Sequence, residues 1–480
     1  EPEDGASRSE EETGLKPGEP ITGSDRSTNN SPLDNRPSLR PKRTRFSGTR
    51  ALVVASLEAK PSLVQEHLDE SCPLCGGRPG LAFPVAASAL GRDRETSDVA
   101  LDAAVAGITA FSTDLHARLA SSADNLIYSP TGIAIALAMA TVGAEGETRE
   151  QMLDVLHAGP DPEGWIDSVG ALSRSLDAAD DADSLAKLQV ANRLWGQHGV
   201  RFGQPFLHRL ADDFAAPFGE ADFREAPEPS REAINRWVAE RTADRILDLL
   251  PQGSITPLTR LVLTNALRFD ADWRFPFSAE RTRELPFSID RERQVSVSMM
   301  RQKGEFAYAE NDLVQAVELP YVGDDFSLVA ILPRRAGGLG DVERMLTAER
   351  LDSWLDGLDE RKVDLFLPKF RIESRYDLIP TLEQLGMKRP FSVEAEFGPI
   401  TTDDRLSITG VLHQAMIKVD EQGTEAAAAT GVVIGIRSAP PSDSDEATTF
   451  RADHPFLILL RHRPSGAILF GGRVSDPSRG

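Results

Sequence analysis

Apolar residues repeat at helical spacing in the first half of the chain and crowd into strand-like runs in the second. This segregation limits the fold more than any other feature. From about residue 98, Leu101, Val105, Ile108, Phe111, Leu115 and Leu119 fall at three- and four-residue steps, the mark of an amphipathic helix. Ile234, Val238, Ile246 and Leu249 carry the helical pattern on. Residues 261–264, 314–319, 326–332, 363–367, 456–460 and 468–470 then read as strands. Helices first and strands later imply an α+β architecture with mixed or antiparallel sheets, not the alternation of a doubly wound nucleotide-binding fold. No Pro/Gly/Ser-rich linker interrupts residues 100–420 and no internal repeat is present, so residues 96–480 read as one large domain.

Residues 1–95 have another character. The first 50 hold only Leu15, Ile21, Leu33, Leu39 and Phe46 as large aliphatic or Phe side chains, too few to offset the entropy of folding, and a disordered tail is expected. Basic residues gather between Arg36 and Arg50 ahead of an apolar run, residues 51–57, that is too short for a signal sequence. Cys72 and Cys75, with His67 nearby, supply at most three of the four ligands that structural zinc wants, so no metal is expected there.

Charge narrows the partners. Lys+Arg 53 against Asp+Glu 75 give a net charge of −22, and the first 95 residues are close to balance, so the acidity belongs to the folded part. Such a field repels phosphate backbones and anionic lipid, and neither nucleic acid nor membrane is an expected partner. The longest uncharged apolar stretch, residues 132–144, falls short of the roughly 18 residues of a membrane span.

The sequence holds no Gly-x-Ser-x-Gly elbow, no phosphate-binding Gly-x-x-x-x-Gly-Lys-Ser/Thr and no His-Glu-x-x-His pair. Gly337, Gly338 and Gly340 beside Arg334, Arg335 and Asp341 read as a surface turn. His116, His157, His198 and His208 have no partner at ligand spacing and read as solvent-facing or capping residues. The expectation is a protein that is not an enzyme and needs no cofactor.

One segment stands apart. Glu421-Gln422-Gly423-Thr424-Glu425-Ala426-Ala427-Ala428-Ala429-Thr430 is small and free of proline, and Gly431-Val432-Val433-Ile434-Gly435-Ile436-Arg437-Ser438 is β-branched and uncharged up to one arginine. Small side chains let such a strip slide between strands without overpacking, and every backbone N–H is available to a sheet ladder. The exposed Ser442-Asp443-Ser444-Asp445-Glu446 follows. An insertable strand joined to an exposed loop with one basic residue is what a protease bait needs; an alanine-rich helical turn followed by a strand is the plainer reading.

Several separated motifs recur with it in one order. They are Asn125-Leu126-Ile127-Tyr128-Ser129-Pro130 ahead of a small-residue helix; Thr264-Asn265-Ala266-Leu267-Arg268-Phe269 with Trp273 and Phe277; Leu367-Pro368-Lys369-Phe370; residues 407–418 with His413; and Ala452-Asp453-His454-Pro455-Phe456 with Gly471, Arg473 and Val474. Across roughly residues 98–478 the sequence resembles the serpins, a family of serine protease inhibitors. The resemblance implies three β-sheets, eight or nine helices and a reactive loop, about residues 421–441, held outside the largest sheet. It implies suicide inhibition, in which the cleaved loop inserts as a new strand and traps the acyl-enzyme.

Residue roles follow from the same resemblance. Counting Glu421 as the first loop residue makes Arg437 the seventeenth, so Arg437–Ser438 is the expected reactive bond and a trypsin-like serine protease the expected target. Residues 438–450 run a few positions longer than family norms. The hinge would comprise Glu421, Gly423, Thr424, Glu425, Ala426, Ala427, Ala428, Ala429 and Thr430, with Thr424 and Thr430 turning inward on insertion. Lys369 would pair with Glu421 at the top of the sheet, Trp273 would sit where the loop first goes in, and Asn265 with His413 would form a polar latch. Gly132 departs from the serine common in the family, and the acidic run 177–183 offers no basic helix, so no heparin activation is expected. A monomer in an extracellular or secreted setting completes the expectation; a non-inhibitory serpin-like carrier or chaperone is the alternative.

Overall fold

The computed structural model describes residues 87–122, 124–178, 185–424 and 447–479. The N-terminal tail, Cys72, Cys75 and loop residues 425–446, with Arg437 and Ser438 among them, lie outside the described residues.

Along the chain run α1 (Ala87–Leu119), β1 (Leu126–Tyr128), α2 (Pro130–Thr141), α3 (Gly146–Val155), α4 (Pro162–Ala178), β2 (Ala186–Gln197), α5 (Gln204–Phe214), β3 (Gly219–Ala221) and α6 (Pro227–Arg241). There follow β4 (Leu261–Asp272), β5 (Arg283–Ser288), β6 (Gln294–Glu310), β7 (Val314–Pro320), β8 (Phe326–Pro333), α7 (Leu339–Arg344) and α8 (Ala348–Asp356). The chain closes with β9 (Asp359–Pro368), β10 (Phe370–Asp377), α9 (Ile379–Leu385), β11 (Ile408–Val419), β12 (Gly423–Thr424), β13 (Thr448–Arg451), β14 (Phe456–His462) and β15 (Ile468–Val474).

The main sheet has six strands in the order β10-β11-β12-β4-β2-β3, with β11 also paired to β4. Nine further strands are linked by continuous hydrogen bonding, but β6 makes them two sheets in sequence. Its start pairs with β5 from Gln294 to Met299, its middle with β9 from Met299 to Tyr308, and its end with β7 from Ala307 to Glu310. The three sheets and nine α-helices of the described residues match the architecture expected from the sequence.

Helix α2 lies at the centre. Every residue from Pro130 to Thr141 is buried, and the helix packs against β2, β4 and β15. Its start is written locally: Ser129 is the N-cap, its Oγ accepts from the Gly132 N–H at 3.1 Å, and Pro130 opens the first turn where no intrahelical donor is needed. The main sheet is covered on both faces, by α2 on one and on the other by a second cluster with Ile234 and Val238 of α6 against Trp195, Val262 and Ala266.

Three local readings need correction. Strand β2 lies among the helices; Lys187 and Gln189 alternate with Ala186, Leu188 and Val190, but the adjacent apolar pairs Val190-Ala191 and Leu194-Trp195 break the period. Ile246 and Leu249 are core residues but not helical, because Ala243 and Asp244 take φ of 47° and 59° and end α6 before them. His116 faces inward, only 2% exposed, and bonds Glu343 at 3.0 Å, while Arg473 holds the same carboxylate at 2.9 Å.

Candidate functional site

β4 and β11 run parallel and pair from Ile408 against Leu261 up to Ala415 against Leu267. Above that point they part. Among the described residues, Arg268–Asp270 keep ladder pairs only with Gln189, Leu188 and Lys187 of β2, and residues 416–418 only with Glu373, Ile372 and Arg371 of β10. At the mouth of this fork, β12 fills the space and runs antiparallel to both edges, with Thr424 opposite Val419 and Ala271 and Gly423 opposite Asp272. An antiparallel strand is the only one that a hairpin turn from β11 can lay there.

The mouth fits those two residues closely. A Cβ on Gly423 would run into the backbone of Ala271 and Asp272, so only glycine allows this approach. Thr424 is 1% exposed, and its hydroxyl bonds the hydroxyl of the buried Tyr321, whose phenol burial pushes up. The Trp273 ring stacks on Tyr321 at 4.4 Å, and its Nε1–H donates to the Asp420 carbonyl at 2.9 Å. Backbone N–H groups of Trp273 and Phe277 donate to the carbonyls of Gln422 and Glu421 at 2.7 and 2.9 Å. Lys369 Nζ meets Glu421 Oε2 at 2.7 Å, and the Thr282 hydroxyl donates to Oε1 at 2.9 Å. Burial pushes the Glu421 carboxyl up, but Lys369, Thr282 and its own backbone N–H together hold it below the usual range.

A directional chain of hydrogen bonds closes the fork's base. The Ser129 N–H donates to His413 Nε2 at 3.0 Å, which fixes the imidazole as neutral with its proton on Nδ1. Nδ1–H donates to Asn265 Oδ1 at 2.5 Å, Asn265 Nδ2 to Asn192 Oδ1, and Asn192 Nδ2 to the Gly132 carbonyl at 3.5 Å. Both ends of the chain lie on the start of α2, and between them it crosses β11, β4 and β2. Burial lowers the His413 pKa to about 3. A Cβ on Gly132 would run into Leu267 Cδ1 and the Asn265 amide, so a larger residue here would require those side chains to shift.

Asn265 and His413 are thus hydrogen-bonded, Lys369 and Glu421 are ion-paired, and Trp273 lies against the backbone of residues 420–422. Glu425 to Thr430, Arg437 and Ser438 lie outside the described residues. Sequence reasoning missed Asn192, Tyr321 and Thr282. A single asparagine among the alternating apolar residues of β2 was the available sign for the first; Tyr321 and Thr282 carry no sign without the fold. The far end of the loop rejoins the body at β13, which pairs in parallel with β9 from Thr448 opposite Val363 to Arg451 opposite Phe366.

Comparison with known proteins agrees with this geometry. Residues 106–477 match the serpin (serine protease inhibitor) family. An uncharacterised serpin-like protein of Thermococcus kodakarensis is 39% identical over 78% of this chain and 86% of its own. The leukocyte elastase inhibitor of Bos taurus is 37% identical over 77% and 98%. The solved structure of thyroxine-binding globulin in complex with thyroxine superposes with a TM-score of 0.68 at 26% identity, covering 78% of this chain and 99% of that one. The forked sheet, the strand seated in its mouth and the match across most of the chain lead to one conclusion: this protein belongs to the serpin family.

Proposed function

We propose that this serpin is an irreversible inhibitor of trypsin-like serine proteases. The target's nucleophile attacks the carbonyl carbon of Arg437, the Ser438 nitrogen leaves with a proton from the protease's own acid, and an ester joins Arg437 to the protease. Arginine suits a primary pocket with a carboxylate at its base, which can take the guanidinium in a bidentate contact. The freed loop then continues the strand begun at Gly423–Thr424 down between β4 and β11, and the tethered protease is carried away from the loop's original position before hydrolysis is complete. The native chain is in this account a kinetically trapped state.

The observation that carries the reading is the two-residue strand β12 at the mouth of the fork, aimed along edges that have no ladder partner there among the described residues. Continuing its register would set Ala426 opposite Phe269 and Ala428 opposite Leu267, which are buried on the core side of β4. Alanine fits there without overpacking. A carrier role, which the name of thyroxine-binding globulin illustrates for this fold, would leave that run of alanines without a purpose. The reading implies a monomer acting in an extracellular or secreted setting.

Titration of trypsin tests it. About one equivalent of the protein should abolish trypsin activity irreversibly, and Arg437→Ala should remove that effect. Retained inhibition by the variant would refute the bond assignment; steady proteolysis without loss of trypsin would refute the inhibitory reading.

A further inference from the structure

A concave patch of positive charge interrupts this acidic chain near the point where the reactive loop rejoins the body. A cavity of about 670 Å³ opens on the face of β5, β6, β9 and β13, and Arg281, Arg283, Arg301, Lys303 and Arg451 line it against one carboxylate, Asp364. Strand register builds the cluster. Arg301 lies opposite Phe366, which lies opposite Arg451, so two guanidiniums flank one ring at 5.0 and 3.8 Å from its centroid. Lys303 and Asp364 form the next row, and Arg283 lies opposite Met299 on the other side. All five cations are exposed. Arg301 already grips Asp364 through Nε and Nη2 at 2.9 and 2.7 Å, and among the described residues Arg281, Lys303 and Arg451 have no carboxylate partner.

We infer that this cleft is a docking site, separate from the reactive loop, for a carboxylate-bearing face of the protease that the loop engages. The inference rests on the inhibitory reading above. Three observations select that occupant. The cleft includes Thr449 and Arg451 of β13, the strand that receives the loop's far end, so a protease held at the loop is brought toward it. Its lining mixes cations with Leu285, Met299 and Phe366, as suits a protein surface, and the bidentate Arg301–Asp364 contact shows how a carboxylate is held there. A dense polyanion would approach against the field of a chain of net charge −22, whereas a few carboxylates on a protein face would feel mainly the local patch.

Two readouts on the full chain test it. Anisotropy of a fluorescein-labelled peptide with three spaced glutamates, at about 100 mM NaCl where the long-range field is screened, reads the cleft. The second-order rate of covalent complex formation with an anionic trypsin reads docking. The double variant Arg281→Glu with Lys303→Glu should weaken peptide binding and slow complex formation at least about tenfold, leave stoichiometry unchanged, and lose most of its defect at about 300 mM NaCl. Arg451→Gln, which reverses no charge, serves as a milder second variant with a smaller effect of the same sign. Peptide binding that is absent, or equal in all three proteins, overturns the site. Equal rates with trypsin overturn its role in docking. Heparin that displaces the peptide and binds more tightly at equal charge would assign the cleft to a sulfated polyanion and overturn the choice of occupant. Failure of the inhibitory reading is seen separately, as a wild-type chain that binds the peptide but forms no covalent complex, and it would remove the protease as partner.

Discussion

Thr424 is where a single side chain decides between inhibitor and substrate. It is buried against Tyr321 at the mouth of the fork, with no room or counter-charge for a guanidinium. Thr424→Arg would place an unpaired charge there at a cost of several kcal/mol, so the loop should be cut without being inserted. We expect the variant to be consumed as a substrate, with complex formation reduced at least about tenfold on denaturing gels; undiminished complex would count against insertion through this fork. His413 decides a second question, the response to acid. Its folded pKa is about 3 against an ordinary 6.5, so the unfolded chain binds more protons between those values. The latch is therefore at full strength above about pH 6.5 and loses ~1 kcal/mol for each pH unit as the pH falls, until His413 itself protonates in the folded state. Glu421, held below the carboxylate range, acts in the same sense at lower pH: its contribution is present above its ordinary pKa and is lost as the pH falls through the folded one. Unfolding midpoints measured from pH 7.5 to 4.5 should fall in the wild type and fall less in His413→Gln; a flat profile would contradict the neutral, buried imidazole.

At the scale of elements, α2 and strands β2, β4 and β11 work as one clamp because the hydrogen-bond chain from Ser129 to Gly132 crosses all three strands. Asn192→Ala would leave the Asn265 amide without its buried acceptor, at a cost of about 1–3 kcal/mol. We expect a lower unfolding midpoint together with faster loss of inhibitory activity on warming, as the uncut loop inserts or chains associate; loss of stability without loss of activity would show that Asn192 only packs. How far this clamp was legible in the sequence depends on what each residue needs to be recognised. Residues 421–430 stood out in the sequence because a run of four alanines without proline has a direct steric meaning, although Glu425–Thr430 lie outside the described residues. Asn265, His413, Trp273 and Lys369 stood in motifs that share their order with a known family. Asn192 was not legible, since one asparagine in a half-buried strand reads like any other polar residue until its cross-strand partner, Asn265, is known. The end of α6 at Ala243–Asp244 was hidden for the opposite reason: Ile246 and Leu249 keep helical spacing while burying themselves from a non-helical backbone.

For the molecule as a whole, trapping a protease by insertion needs free energy stored in the intact fold. Among the described residues, Arg268–Asp270 and residues 416–418 face each other across the fork with no ladder between them, and insertion of a cut loop would pair these two edges. A chain nicked in the loop by a protease that it does not trap should therefore unfold at a temperature higher by at least several degrees than the intact one, a shift that thermal unfolding of the two forms measures directly. Equal midpoints would mean that the fork does not admit the loop. On the docking proposed above, the acidic net charge would repel polyanions at a distance while the basic cleft lined by β13 offers a local contact. Covalent trapping is read by denaturing electrophoresis of the chain mixed with trypsin, with mass spectrometry of any released C-terminal peptide. Inhibition by loop insertion after cleavage at Arg437 predicts a band at the summed mass that survives denaturation and a peptide beginning at Ser438. Complete cleavage with no such band, and trypsin still active, would contradict it.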